Sequence, residues 1–203
     1  MSGVLVTEGV AFRYPGGPAF ALPDLALGPG LHRLGGANGS GKSTLLRVLA
    51  GDLAPTRGTI RVAGRDPVRD VAARVLIGHA PYPDDLPDFL TIGRALSDLA
   101  ALRRRPERHD EALADALALP LDLRLARASA GQRRKAGLLA ALVGEPPVLL
   151  LDEPWTALDA AAIVLVTAYL ESLRTTHVVL FTTHGDCPLA VDSTHVAQAA
   201  SGR

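Results

Sequence analysis

The chain of 203 residues contains a single cysteine and carries no net charge at pH 7. With Cys187 alone, no disulfide can form within the chain, so we expect a reducing compartment. We also expect this side chain to be a small, partly buried apolar group rather than a catalytic thiol. The 21 basic and 21 acidic residues lack the basic excess of nucleic-acid-binding domains, so no nucleic acid partner is expected.

Long apolar runs are also missing from the sequence. The longest, from Ala160 to Leu170, is too short to cross a bilayer as a helix. The first ten residues have neither the basic start nor the apolar stretch of a signal peptide. We therefore expect a chain that is soluble by itself and cytoplasmic, with one domain over residues 1–203.

Lysine is scarce as well, because Lys42 and Lys135 are the only two. Lys42 belongs to a stretch that matches the phosphate-binding pattern G-x-x-x-x-G-K-[ST]. Its glycines allow the loop to turn N–H groups toward phosphate oxygens, and the following helix adds the positive end of its dipole. The predicted ATP-binding residues are Gly36, Ala37, Asn38, Gly39, Ser40, Gly41, Lys42, Ser43 and Thr44.

Two residues of this loop have distinct expected roles. Lys42 supplies a mobile charge for the β- and γ-phosphates, and the Ser43 hydroxyl can ligate Mg²⁺. The alternative is a flexible glycine-rich turn before an ordinary helix. The flanking sequence favours the phosphate loop, because residues 31–34 are typical of a strand and residues 43–50 of a helix.

The rest of the chain alternates strands with helices, which predicts an α/β fold with a mostly parallel core sheet. Strands are expected at 75–78, 148–151 and 178–182, and an N-terminal β part at 4–7 and 9–14. Residues 91–143 are rich in helix formers and are interpreted as a small helical subdomain inserted into the core. Within it, Arg103-Arg104-Arg105 is interpreted as a solvated helix end, with a phosphate or lipid contact as the alternative.

An apolar strand that ends in Asp152-Glu153 gives a second candidate site. Open α/β sheets bind ligands at the carboxyl ends of their strands, so Asp152 is expected beside the phosphate loop. There Asp152 can bind Mg²⁺ and Glu153 can polarise an attacking water. An apolar strand followed by two acidic residues is weak evidence for a nucleotide site by itself, and stronger evidence when it follows a phosphate loop.

With both sites in place, the sequence resembles the nucleotide-binding subunit of ATP-binding cassette (ABC) transporters nearly end to end. The resemblance predicts a P-loop NTPase fold of the ABC-ATPase type. It is carried by elements in the family's order: Tyr14 at the position of an aromatic that stacks on adenine; the Walker A loop 36–44; the signature Ser129, Ala130, Gly131 and Gln132; Walker B at 149–153; the D-loop Asp159; and the switch histidine His184.

The resemblance implies a mechanism and its partners. Two nucleotide-binding subunits, identical or different, stack head to tail with ATP between the Walker A loop of one and the signature of the other. Glu153 activates water, His184 positions it at the γ-phosphate, and Lys42 with Mg²⁺ offsets the developing charge. A separate transmembrane permease holds the subunit on the cytoplasmic face of the membrane, where ATP hydrolysis energises an exporter.

One position departs from the family. Tyr82 lies where the family has a glutamine that senses Mg²⁺, and a phenol lacks the paired donor and acceptor of an amide. His79 is a conceivable substitute, although a structural loop histidine is the simpler interpretation. The signature alanine, Ala130, is a mild change.

Other readings stay open at this point. Each motif also has an ordinary structural interpretation, such as a helix N-cap for Ser129. In its compactness and its signature, the chain is most similar to haem-exporter ATPases of cytochrome c biogenesis and to small bacterial exporters. Alternatives are a soluble ABC ATPase that acts on iron–sulfur assembly or translation, and a nucleotide-sensing module that does not hydrolyse.

Overall fold

The computed structural model describes residues 4–103, 109–185 and 187–200. Its strands are β1 Leu5–Arg13, β2 Ala19–Ala21, β3 Leu25–Leu27, β4 Gly30–Gly35, β5 Arg57–Val62, β6 Ile77–Ala80, β7 Val148–Leu151, β8 Val178–Phe181, β9 Ser193–Val196 and β10 Gln198–Ala200. Its α-helices are α1 Lys42–Ala50, α2 Val71–Arg74, α3 Ile92–Leu102, α4 His109–Ala116, α5 Ala130–Leu142 and α6 Ala160–Ser172.

The core is a five-stranded parallel sheet in the order β6-β7-β8-β4-β9. Every residue of the central strands β7 and β8 is buried, as expected for strands covered on both faces. The strands all run the same way, so β4, β7 and β8 end at one edge. That edge brings the phosphate loop, Asp152 and His184 together.

A second, antiparallel sheet forms the N-terminal part, in the order β10-β2-β1-β3 with β5 also paired to β1. The two strand pieces predicted for this region are one strand, β1, whose register with β5 shifts between Glu8 and Ala11. Gly9 in this shift has a positive φ of 57°, which glycine adopts without strain. The α/β prediction with an antiparallel N-terminal part is confirmed.

The strand predicted at 75–78 begins two residues later than expected. Asp70 caps the short helix α2 by accepting a hydrogen bond from Ala72 N–H, and Val75 is the C-terminal cap of that helix. β6 therefore starts at Ile77. The strands β9 and β10 follow His184, where no strand was predicted. None of the described helices is long and apolar enough to span a membrane.

Arg103 is not the solvated helix end that the sequence indicated. Its guanidinium donates to the carbonyls of Ala140, Ala141 and Val143 at the end of α5, and to Ile77 O at the start of β6. The three carbonyls at the end of α5 lack partners within their own helix, and Arg103 joins them to β6, so it fastens α5 to the core sheet. Arg104 and Arg105 lie outside the described residues.

Candidate functional site

The phosphate loop joins the end of β4 to the start of α1. Gly36, Gly39 and Gly41 all have positive φ, at 140°, 78° and 88°, which is why glycine is required at these turns. Gly41 also has no room for a side chain, because a Cβ there would lie 2.3 Å from the ring of Phe20. The loop is therefore shaped to bring its backbone close to a ligand.

Lys42 is the first residue of α1 and is only 7% exposed. Its ammonium donates to Gly36 O at 3.0 Å and to Ala37 O at 3.1 Å. The side chain thus curls back over its own loop. This places a positive charge at the centre of the turn, where a phosphate would bind.

A cleft of about 280 Å³ lies in front of this loop. It unites nine of the residues that the sequence placed in the site. Its lining residues are Phe20, Asn38, Gly39, Gly41, Lys42, Ser43, Thr44, Asp152, Glu153 and His184. The predicted residues Tyr14, Gly36, Ala37, Ser40, Tyr82, Ser129, Ala130, Gly131, Gln132 and Asp159 are not among them.

Thr182, to which the sequence assigned no role, holds Asp152 in place. The fully buried Thr182 hydroxyl donates to Asp152 Oδ1 at 2.6 Å and accepts from Glu153 N–H at 3.0 Å. Asp152 itself is 3% exposed. The signal for Thr182 was available, since it is the first polar residue after the apolar strand β8. Both acidic residues are therefore held by one hydroxyl.

Glu153 and His184 face each other at the mouth of the cleft. His184 N–H donates to Glu153 Oε2 at 3.0 Å, and His184 Nε2 lies 3.3 Å from Glu153 Oε1. Glu153 has a φ of 51°, an unusual conformation for a residue with a Cβ and one that concentrates at functional sites. The pair offers a carboxylate base with an adjacent imidazole.

The donor set fits Mg²⁺ held partly by a nucleotide. Ser43 and Asp152 both line the cleft, and both offer the oxygen ligands that Mg²⁺ prefers. Among the described residues, no cluster of three His, Cys, Asp or Glu side chains could hold a metal. A Mg²⁺ ion held by Ser43 and Asp152 would take its other ligands from phosphates and water.

Two aromatic residues belong to the N-terminal part of the chain, Tyr14 just after β1 and Phe20 on β2. Tyr14, the predicted adenine-stacking residue, is 38% exposed and packs edge-on against Phe12 with ring centroids 4.7 Å apart. Phe20 on β2 lines the cleft and touches Gly41. The adenine role of Tyr14 stays a prediction, and Phe20 is a contact residue that the sequence did not indicate.

The signature residues begin helix α5 and form its N-terminal cap. Ser129 Oγ accepts from Gln132 N–H, and Gln132 Oε1 accepts from Ser129 N–H. This is the helix-cap interpretation that the sequence left open. Ser129 and Ala130 are exposed, and Gly131 lies against the backbone of Ala157, where a Cβ would approach Ala157 O to 2.9 Å.

Asp159 has two partners within the chain. It caps α6 by accepting from Ala162 N–H at 2.8 Å, and it accepts from Lys135 Nζ at 2.9 Å. The hydrogen bond from Lys135 holds the pKa of this carboxyl below its usual range. Asp159 therefore links the start of α6 to the helix that carries the signature.

His79 does not substitute for the missing glutamine. Its Nδ1 lies 3.1 Å from Asp52 Oδ2, just after the C-terminal end of α1, and His79 is not among the residues that line the cleft. The hydrogen bond with His79 is the main reason that the pKa of Asp52 lies below its usual range. Tyr82 is 42% exposed and lies over the guanidinium of Arg134.

Comparison with known proteins adds independent information. The model of the ABC transporter family matches residues 28–156. The Nod factor export ATP-binding protein I of Paraburkholderia xenovorans is 38% identical over 190 residues, which are 88% of this chain and 58% of that protein. The cytochrome c biogenesis ATP-binding export protein of Aromatoleum aromaticum is 39% identical over 183 residues, which are 84% of this chain and 83% of that protein.

A solved structure of the ATP-binding subunit of an ABC transporter has the same fold. It superposes with a TM-score of 0.78 at 25% identity and covers 89% of this chain and 79% of that one. The chain spans little more than half of the Nod factor relative and most of the cytochrome c relative. The family model, these relatives and the geometry of the cleft agree: the chain belongs to the ABC transporter family.

Proposed function

We propose that the chain binds and hydrolyses ATP and thereby energises an ABC-type exporter. The observation that carries the proposal is the cleft, which unites the phosphate loop with Asp152, Glu153 and His184. The names of the relatives, export ATP-binding proteins, support the exporter role. A complete set of binding and catalytic groups favours hydrolysis over nucleotide sensing alone.

The chemistry follows from the positions of the side chains. Lys42 leaves the loop carbonyls and neutralises the β- and γ-phosphates, with backbone N–H groups of the loop beside it. Ser43 and Asp152 would hold Mg²⁺, which would supply further positive charge at the phosphates. Glu153 accepts a proton from the attacking water, and His184 orients that water and the γ-phosphate. Thr182 keeps the two acidic residues in place.

We propose that a second copy or a related subunit completes the site. Ser129, Ala130 and Gly131 lie at the N-terminus of α5, outside the cleft of their own chain. A helix N-terminus attracts phosphate, so this exposed turn suits the γ-phosphate of a facing subunit. ATP then holds the two subunits together, and hydrolysis releases them. Asp159, which is bonded to the signature helix through Lys135, would respond to this contact.

We place the subunit on the cytoplasmic face of a membrane, bound to a permease on another chain. Residues 91–143 would form the helical subdomain that contacts this permease. The 83% coverage of the cytochrome c biogenesis relative favours a subunit of that size and kind. The permease, and not the nucleotide cleft, would then select the exported molecule.

The test is ATP turnover by the purified chain with Mg²⁺ over a range of protein concentrations. We expect specific activity to rise with concentration, because the site needs two subunits. Glu153→Gln should retain ATP binding, lose turnover by at least about 10²-fold and accumulate an ATP-bound dimer. Wild-type turnover in this variant would exclude Glu153 as the base.

Lys42→Ala is the companion variant for binding. We expect it to lose ATP affinity, because the phosphates lose their charged partner. Unchanged affinity would contradict the proposed role of the loop. Arg61→Ala, an exposed change on β5, serves as the control and should bind ATP like the wild type.

A further inference from the structure

Three consecutive basic residues follow the signature, and each bonds to residues outside its own helix. Arg133 binds Asp84 through two hydrogen bonds of 2.9 and 2.7 Å, and it also reaches Asp88. Lys135 binds Asp159. Arg134, between them, is 2% exposed. A fully buried arginine is unusual, so its contacts require an explanation.

Arg134 joins the ends of two core strands to the signature helix. One terminal nitrogen donates to Pro81 O, just after β6, at 3.0 Å. The other donates to Asp152 O, just after β7, at 2.6 Å. Burial lowers the pKa of the guanidinium to about 10, so it remains charged at neutral pH. A single planar group thus sets the spacing between Pro81 and Asp152.

Tyr82 covers this guanidinium on the solvent side. The Arg134 Cζ atom lies 5.6 Å from the centre of the Tyr82 ring, within the range of a cation–π contact. The ring shields the two hydrogen bonds from water, which strengthens them. Tyr82 is therefore in contact with Arg134 rather than with the cleft.

The signature helix lies directly on β6, so movement of one is transmitted to the other. Gly78 has no side chain, and a Cβ there would lie 2.0 Å from Ala141 O. At the other end of the helix, Ser129 is five residues before Arg134. A ligand at Ser129 and a ligand at Asp152 thus bind to two ends of one short, packed unit.

We propose that Arg134 is a positioning residue that couples the signature turn to Asp152, with Tyr82 as its cover, so that this pair replaces the family's glutamine. The inference rests on the proposed function, because it needs ATP at both positions. Each subunit contacts one ATP through Asp152 and the other through Ser129. Arg134 therefore links the two ATP sites of the dimer and makes their occupancy cooperative.

The experiment combines ATP binding, turnover and hydrogen exchange on the wild-type chain and four variants. Arg134→Lys keeps the charge but cannot bridge two carbonyls, because an ammonium is a single point donor. Tyr82→Phe keeps the ring and Tyr82→Ala removes it. Arg127→Lys, an exposed change just before the signature, is the matched control for Arg134→Lys.

We expect Mg·ATP to slow amide exchange in residues 81–90 of the wild type, and the Hill coefficient of turnover to exceed about 1.5. Arg134→Lys should retain ATP affinity within about threefold, yet lose the exchange response and bring the Hill coefficient to about 1. Tyr82→Ala should lose part of the exchange response and part of the cooperativity. Tyr82→Phe and Arg127→Lys should behave like the wild type in both measurements.

Several outcomes would overturn the inference while leaving ATP hydrolysis intact. One is a wild type that binds ATP with no change of exchange at 81–90. Another is an Arg134→Lys variant that keeps both the response and the cooperativity, or that loses ATP affinity in proportion to them. Equal losses in Tyr82→Phe and Tyr82→Ala would assign the effect to the hydroxyl. A wild type that fails to bind ATP would instead refute the proposed function.

Discussion

Thr182 allows a stringent test of how the acidic edge of the cleft is held. Thr182→Val keeps the shape of the side chain but removes the hydroxyl that bonds Asp152 and Glu153 N–H. An unsatisfied buried N–H costs about 1–2 kcal/mol, and an unsatisfied carboxylate oxygen costs about 2 kcal/mol. The free energy of unfolding should therefore fall by about 3–4 kcal/mol.

Thr182→Ser is the matched control, because it keeps the hydroxyl and loses only a methyl group. That loss costs about 1 kcal/mol. For a chain of this size, 1 kcal/mol shifts the melting temperature by about 2–4 °C, so the valine variant should melt about 4–12 °C below the serine variant. Thermal unfolding followed by circular dichroism measures the difference. Melting temperatures within about 2 °C of each other would refute the argument.

Three further predictions concern the loop, the sheet edge and α5. Gly41→Ala should be worse than Gly39→Ala in ATP binding and melting temperature, since both have positive φ but only Gly41 meets Phe20. Burial lowers the pKa of His195, so unfolding free energy should fall with pH from about 7 to 5, and less so in His195→Gln. Arg103→Met should cost about 2–4 kcal/mol in urea unfolding by orphaning several carbonyls; a loss under about 0.5 kcal/mol would contradict that role.

The phosphate loop and the catalytic edge could be predicted because their signals are local. A glycine pattern and an apolar strand followed by Asp152-Glu153 each specify a turn and its chemistry within a few residues. The parallel order of β7, β8 and β4 then brings Asp152 and His184 to one edge. The strand pattern predicted the edge at which Asp152 lies, whereas the role of His184 was implied by the family resemblance.

The contacts made by single polar side chains across long distances could not be predicted. Thr182, Arg103 and Arg134 act through partners 18–53 residues away in sequence, and an arginine in a helix gives no sign of which carbonyl it will reach. The strands β9 and β10 are short, and they pair only because β4 and β2 offer free edges. Tertiary context decides such elements.

Two carbonyls of the phosphate loop compete with a bound phosphate for the ammonium of Lys42. The ammonium already donates to Gly36 O and Ala37 O, so a phosphate gains the lysine only by replacing two neutral acceptors. Part of the binding energy is therefore spent on this exchange, and affinity is lower than the charge alone suggests. Under the proposed function, the same carbonyls bind the lysine again once the phosphates leave, which favours release of the products.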